Sequence, residues 1–154
     1  MPANSATITT RLVVRRNNVP QLIKFIQEQT RTAVDETAFD IQTDAAQMAP
    51  RDTGSLAASI YINNGDESDY TQRVAVAESL NRDVVILERI DPEFVISLSG
   101  GPDASYGSVV GVAAAHGIFQ ELGTRFQPPQ PFMIGAAEVA RDDFEARMSR
   151  VASI

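Results

Sequence analysis

Apolar side chains between Val19 and Met48 recur every three or four positions: Leu22, Ile23, Ile26, Ala33, Val34, Ala38, Ile41, Ala45 and Met48. That spacing predicts one buried stripe along an α-helix. Asn18 stands where an N-cap side chain is favoured, Gln21 is placed to complete a capping box, and Pro20 falls in the first turn, where a missing amide is tolerated. Pro50 turns Ala49 away from helical angles and ends the run. A helix of about 30 residues is about 45 Å long at about 1.5 Å per residue. A domain of this size does not need that length for itself, so part of the helix is expected to pack on another subunit.

After Ser59 the period changes to alternation, at Ile60 to Asn63, Gln72 to Ala77, Val84 to Leu87, Phe94 to Leu98 and Ser108 to Ala115. Turn-rich pieces such as Asn63-Asn64-Gly65-Asp66 and Ser99-Gly100-Gly101-Pro102 separate these runs. They predict an antiparallel sheet, with a protruding hairpin around Val84 to Leu98. His116 to Leu122 is expected as a short helix that Gly123 ends in a left-handed conformation, and Arg125 to Pro131, with three prolines, as an extended loop. Phe132 to Val151 has helical spacing again, with Met133, Ala136, Ala137, Ala140, Phe144, Met148 and Val151 on one side and charges on the other. The fold class is therefore α+β: an antiparallel sheet packed by a long N-terminal helix and a C-terminal helix. Residues 1–18, with β-branched character from Thr7 to Val14, are expected as an arm or strand, and residues 19–154 as a single domain.

Composition narrows the chemistry. The chain has 154 residues, no cysteine and one histidine, which excludes disulfides and thiolate metal sites. The longest apolar run, Val109 to Ala115, is far short of a membrane span, and no export signal is apparent, so no membrane partner is expected. The net charge of -7 is concentrated: residues 52–107 hold 3 basic and 10 acidic side chains. With a single lysine, Lys24, and no basic cluster beyond Arg15-Arg16, a DNA-gripping module is disfavoured, because such modules draw affinity from neutralised phosphates.

Three short segments stand out in order. Ala49-Pro50-Arg51-Asp52-Thr53-Gly54-Ser55-Leu56, followed by Ser59-Ile60, closes the long helix; Glu121-Leu122-Gly123-Thr124 follows the sheet; Pro131-Phe132-Met133 opens the last helix. In the first, Asp52 can accept amide hydrogen bonds from Gly54 or Ser55, Gly54 can supply an unusual backbone angle, and Leu56 and Ile60 can anchor the turn in the core. Pro131 suits a helix start, with Phe132 as its core plug.

Together these segments resemble the tail-component family of tailed bacteriophages, whose members read A-P-x-D-T-G-x-L-x-x-S-I, then Y-A-x-x-x-E-x-G-T, then P-F-L-x-P-A. Here His116 and Gly117 stand in the second motif's aromatic and small positions, and Gly135 replaces the last motif's second proline. The resemblance spans roughly Val19 to Val151. It implies a structural virion protein: a homo-oligomeric ring, expected as a hexamer, at the head-to-tail junction or the top of the tail. Its neighbours would be head-closure, tail terminator or tail tube proteins, and the genome would pass through without specific binding. The runner-up is a tail terminator ring. The resemblance also implies that Pro50, Asp52, Thr53, Gly54, Leu56, Glu121, Gly123, Thr124, Pro131 and Phe132 form a structural motif or interface, with no catalytic, cofactor or metal residues. Glu121, Gly123 and Thr124 would make a rigid turn near the Asp52 loop; from its position beside a helix-ending glycine, Glu121 is expected to satisfy backbone amides or Arg51.

Asp52-Thr53-Gly54 is also the tripeptide of aspartic proteases, where two carboxylates share a proton. That tripeptide follows an apolar strand, whereas here Pro50-Arg51 precedes it at a helix end, so scaffold is favoured over protease. His116 reads as a packing residue. The glycines at 107, 111 and 117 fit no phosphate-cradling loop, and no serine lies in a nucleophile elbow.

Overall fold

The computed structural model describes residues 17–64, 68–87, 95–100 and 106–153. The expected arm from Thr7 to Val14 lies outside them. The elements are α1 (Val19–Met48), α2 (Ser55–Ala58), β1 (Ile60–Asn63), α3 (Tyr70–Leu80), β2 (Val95–Gly100), β3 (Tyr106–Val112), α4 (Gly117–Leu122) and α5 (Met133–Ala152). This is the α+β arrangement of two long helices and a small antiparallel sheet.

The long helix has the bounds its periodicity predicts, but not its predicted cap. Asn18 makes no side-chain cap and Gln21 closes no box; Asn17 Oδ1 instead accepts the Val19 N–H at 3.1 Å. At the other end Ala49 takes φ -59 and ψ 134, the extended geometry that a following proline imposes. The strand order is β1-β3-β2, both pairs antiparallel, with Ile60 opposite Val112 and Val95 opposite Gly111.

α1 crosses one face of the sheet and packs most extensively on α5. Ala38, Ile41 and Ala45 from α1, Leu56, Ile60, Val110, Val112 and Ala114, and Phe132, Met133, Ala136 and Ala140 form one buried cluster. Alternation along β1 turns Tyr61 to the opposite face. There it is fully buried and meets Tyr70 of α3 edge-on, with ring centroids 5.0 Å apart. At the far end of α5, Arg147 donates to Thr37 Oγ1 at 2.8 Å and to Asp40 at 2.7 Å, tying the two long helices together.

Two expected strands are not strands. Gln72 to Ala77 lies in α3, because its alternation of valine and alanine is short and Tyr70, Arg73, Val74 and Ala77 turn inward at helical spacing. Gln, Arg, Ala and Glu there are also good helix formers. Asp69 then knots α3 to the sheet. Its carboxylate accepts the Ile62 N–H at 2.6 Å, the Gln42 amide at 2.8 Å and the Arg73 guanidinium at 2.9 Å. Val84 to Leu87 forms only one bridge, Ile86 opposite Ala114. Residues 88–94, the middle of the expected hairpin, lie outside the described residues; its flanks both run beside β3 or the residues that follow it.

Candidate functional site

The second and third motifs meet at the start of α5. The first amides of a helix have no partner within it, and Phe132, at the cap position, has no side-chain oxygen to offer. Glu121 supplies the partner from α4. Its Oε2 accepts the Phe132 and Met133 N–H at 2.8 and 3.0 Å, and its Oε1 accepts the Ile134 N–H at 3.0 Å. The residue is only 8 % exposed. A carboxylate at a helix N-terminus also lies at the positive end of the helix dipole. Of the two partners expected for Glu121, backbone amides are therefore the ones it takes; Arg51 is not among its hydrogen-bonding partners.

The loop between the motifs is shaped to bring these groups together. Gly123 has φ 75 with an extended ψ of 179, so it does not close α4 as the left-handed cap expected from the sequence. A Cβ there would stand 2.7 Å from Pro129 N and 2.8 Å from Gln127 O, so the chain doubles back against a bare glycine. Thr124 then pairs with Gln127 in a tight turn, and its Oγ1 accepts the Phe126 and Gln127 N–H groups. The segment expected to be extended from Arg125 thus begins with this turn, and only from Pro128 do the prolines carry the chain onward. Gln130 N–H donates to Gln120 O at 2.7 Å, which lays the proline loop along α4. Pro131 follows, and Phe132 is fully buried in the core.

The first motif reaches α4 from the other side. Gly54, with φ 81, starts α2 in the left-handed conformation expected for it, and Leu56 and Ile60 are core residues. The Asp52 carboxylate does not cap this turn. Thr53 does so instead: its Oγ1 accepts the Ser55 N–H at 3.4 Å and donates to Ser55 Oγ at 2.9 Å, while Asp52 stays exposed. A Cβ on Gly117 would lie 2.9 Å from Val112 Cγ1 and 3.2 Å from Leu56 Cδ1. Only glycine lets the start of α4 press so closely on α2 and the sheet.

Pro50, the Asp52-Thr53-Gly54 turn, Asn81, His116 and Gln120 border a cavity of about 200 Å³ between α2 and α4. Burial holds the His116 imidazole below its usual pKa, and it packs at the head of α4 as a half-buried residue. α4 is thus held between the first motif at its start and the third at its end. The roles of Asn81, Gln120 and Asp69 were not legible as motifs; only the Asp69-Arg73 spacing of i,i+4 carried a signal, pointing to a helix. Among the described residues no group of three or more histidine, aspartate or glutamate side chains could hold a metal ion, and no helix is long and apolar enough to cross a membrane. Asp52 lies in an exposed turn, unlike the buried, proton-sharing pair of an aspartic protease.

A buried carboxylate spent on backbone amides, with turns braced against one another, gives α4 and the start of α5 a structural role within this fold. The family model described as "Bacteriophage HK97-gp10, putative tail-component" matches residues 17–123, more than half of the chain, and the chain belongs to that family. Membership supports a structural role in the phage tail or neck, and with it a location in the virion. The match ends at Gly123, so Pro131 and Phe132 lie beyond it, yet Glu121 binds the backbone at Phe132 directly. No curated protein and no solved structure matches the chain significantly.

Proposed function

We propose that residues 19–154 form one domain that assembles into a homo-oligomeric ring, a hexamer, at the head-to-tail junction or the top of the tail, completing the tail and letting the genome pass. One observation carries this reading. The α1 stripe that is buried from Thr30 to Ala45 continues toward the N-terminus through Ile26, Ile23 and Val19, where Val19, Leu22, Ile23 and Phe25 are between 45 % and 58 % exposed. About 11 residues, or about 16 Å of helix, run past the core. Among the described residues nothing covers this apolar surface, and such surface marks an interaction site.

In a ring the patch on one copy meets a different patch on the next. The neighbouring layers, head-closure, terminator or tube proteins, would cover the ring's two rims. Glu78 and Asp83 of the acidic middle section are exposed, and in this reading they face the lumen, where negative charge keeps passing DNA from sticking; Asp69 is committed to internal bonds. Native mass measurement at rising concentration, with electron microscopy of the product, tests the ring: an annular hexamer supports it, and a chain monomeric at every concentration contradicts it.

A further inference from the structure

The cavity between the Asp52 turn and α4 has the chemistry of a cation site. Its polar lining comprises Asp52, Thr53, Ser55, Asn81, His116 and Gln120, with no lysine or arginine. Asp52 brings a carboxylate that accepts hydrogen bonds and donates none. It is exposed and has no ion pair among the described residues. Burial lowers the His116 pKa and so disfavours a positive charge on the imidazole beside the cavity. A volume of about 200 Å³ admits one long side chain, not an element of backbone structure.

At the other end of α4, the tight turn from Thr124 to Gln127 carries a cation outward. Phe126 is 83 % exposed, and the Arg125 guanidinium lies 4.3 Å from the centroid of its ring. That stacking holds the guanidinium in place and leaves its edge donors free. Arg125 has no ion pair among the described residues and does not line the cavity of its own chain.

We propose that Arg125 of one copy enters the cavity of the next copy and pairs with Asp52, while Phe126 covers the mouth. The proposal rests on the ring reading above and names its contact. The charges are complementary, and the two patches differ, as a closed heterologous ring requires. The cavity lies at the start of α4, set by Gly117 against Leu56, and extends to Gln120, whose side chain accepts the Gln127 side-chain amide of the turn at 3.1 Å; socket and knob thus adjoin along α4, whose end is set by Glu121 on α5. The three sequence motifs would then fix the spacing between socket and knob, and through it the angle from one copy to the next.

The test uses Asp52→Arg and Arg125→Asp, both at exposed positions, in sedimentation over a range of concentrations. Each variant alone should self-associate about tenfold or more weakly than wild type. An equimolar mixture of the two should recover wild-type association, because each supplies the charge its neighbour lacks; that mutual rescue also excludes a contact within one chain. Wild-type association of either variant alone, or a mixture no better than its components, would overturn the contact. If the unaltered chain does not associate at all, the ring reading fails and the cavity is judged separately by nuclear magnetic resonance with argininamide and neutral citrulline amide. Shifts at Ser55 and His116 with argininamide alone would support the cation site, and equal or absent responses to the two would refute it.

Discussion

Replacing Glu121 by glutamine changes no volume and removes one acceptor and one charge. The wild-type carboxylate satisfies three amides, two through Oε2 and one through Oε1. Glutamine has one carbonyl oxygen, so at best it keeps the Phe132 and Met133 bonds and turns its own amide donors against the Ile134 N–H. The Ile134 N–H is part-buried, at a residue 52 % exposed, so leaving it unsatisfied costs the low end of about 1–3 kcal/mol, and the lost charge at the helix N-terminus adds about 0.3–1 kcal/mol or more where it is buried. The expected destabilisation is thus about 1.5–3 kcal/mol, or a fall in Tm of about 3–12 °C at about 2–4 °C per kcal/mol for a chain of this length. Glu121→Ala should cost still more, since it strips all three amides. Thermal unfolding followed by circular dichroism reads the shift, and hydrogen exchange at Met133 and Ile134 should accelerate in the same variants. A Glu121→Gln Tm within about 2 °C of wild type would mean that water caps α5 equally well, and the latch would lose its structural meaning.

The two positive-φ glycines among the described residues, Gly54 and Gly123, should respond unequally to alanine. Gly123→Ala meets backbone atoms of Gln127 and Pro129 as well as an unfavourable φ and should lose about 2–4 kcal/mol, whereas Gly54→Ala meets only Leu80 Cδ1 at 3.8 Å and should lose about 1–2 kcal/mol from the backbone angle alone. Equal losses in denaturant titrations would contradict the close approach at Gly123. His116 makes stability pH-dependent: its folded pKa is lowered, so as pH falls below about 6.5 the unfolded chain takes up a proton that the folded chain resists. Wild type should therefore lose stability relative to His116→Gln between pH 7.5 and 5, and a gap that stays constant across that range would refute the burial argument.

How much could be read beforehand follows from the range of the forces involved. The helix from Val19 to Met48 was legible to the residue, because apolar period and Pro50 act locally. So was Ile60 to Asn63, whose alternation matches β1. Gln72 to Ala77 misled because a short valine-alanine alternation looks the same on a strand and on a helix; tertiary contacts through Tyr70 and Asp69 decide between them. The capping sites were misplaced by one residue twice, at Asn17 rather than Asn18 and at Thr53 rather than Asp52, since which of two adjacent side chains turns toward the amides depends on backbone angles that composition does not carry. The acceptor role of Glu121 was legible from its place beside Gly123. That its donors are the first amides of α5 was not, because the loop that joins them is set by a fold-back at Gly123 and by the Gln120-Gln130 bond.

Electron micrographs of phage particles assembled without this chain test the ring at the tail most directly. The account predicts unjoined heads and tails, or tails of abnormal length, with normal particles restored when the chain is supplied. Complete, infectious virions formed in its absence would contradict it.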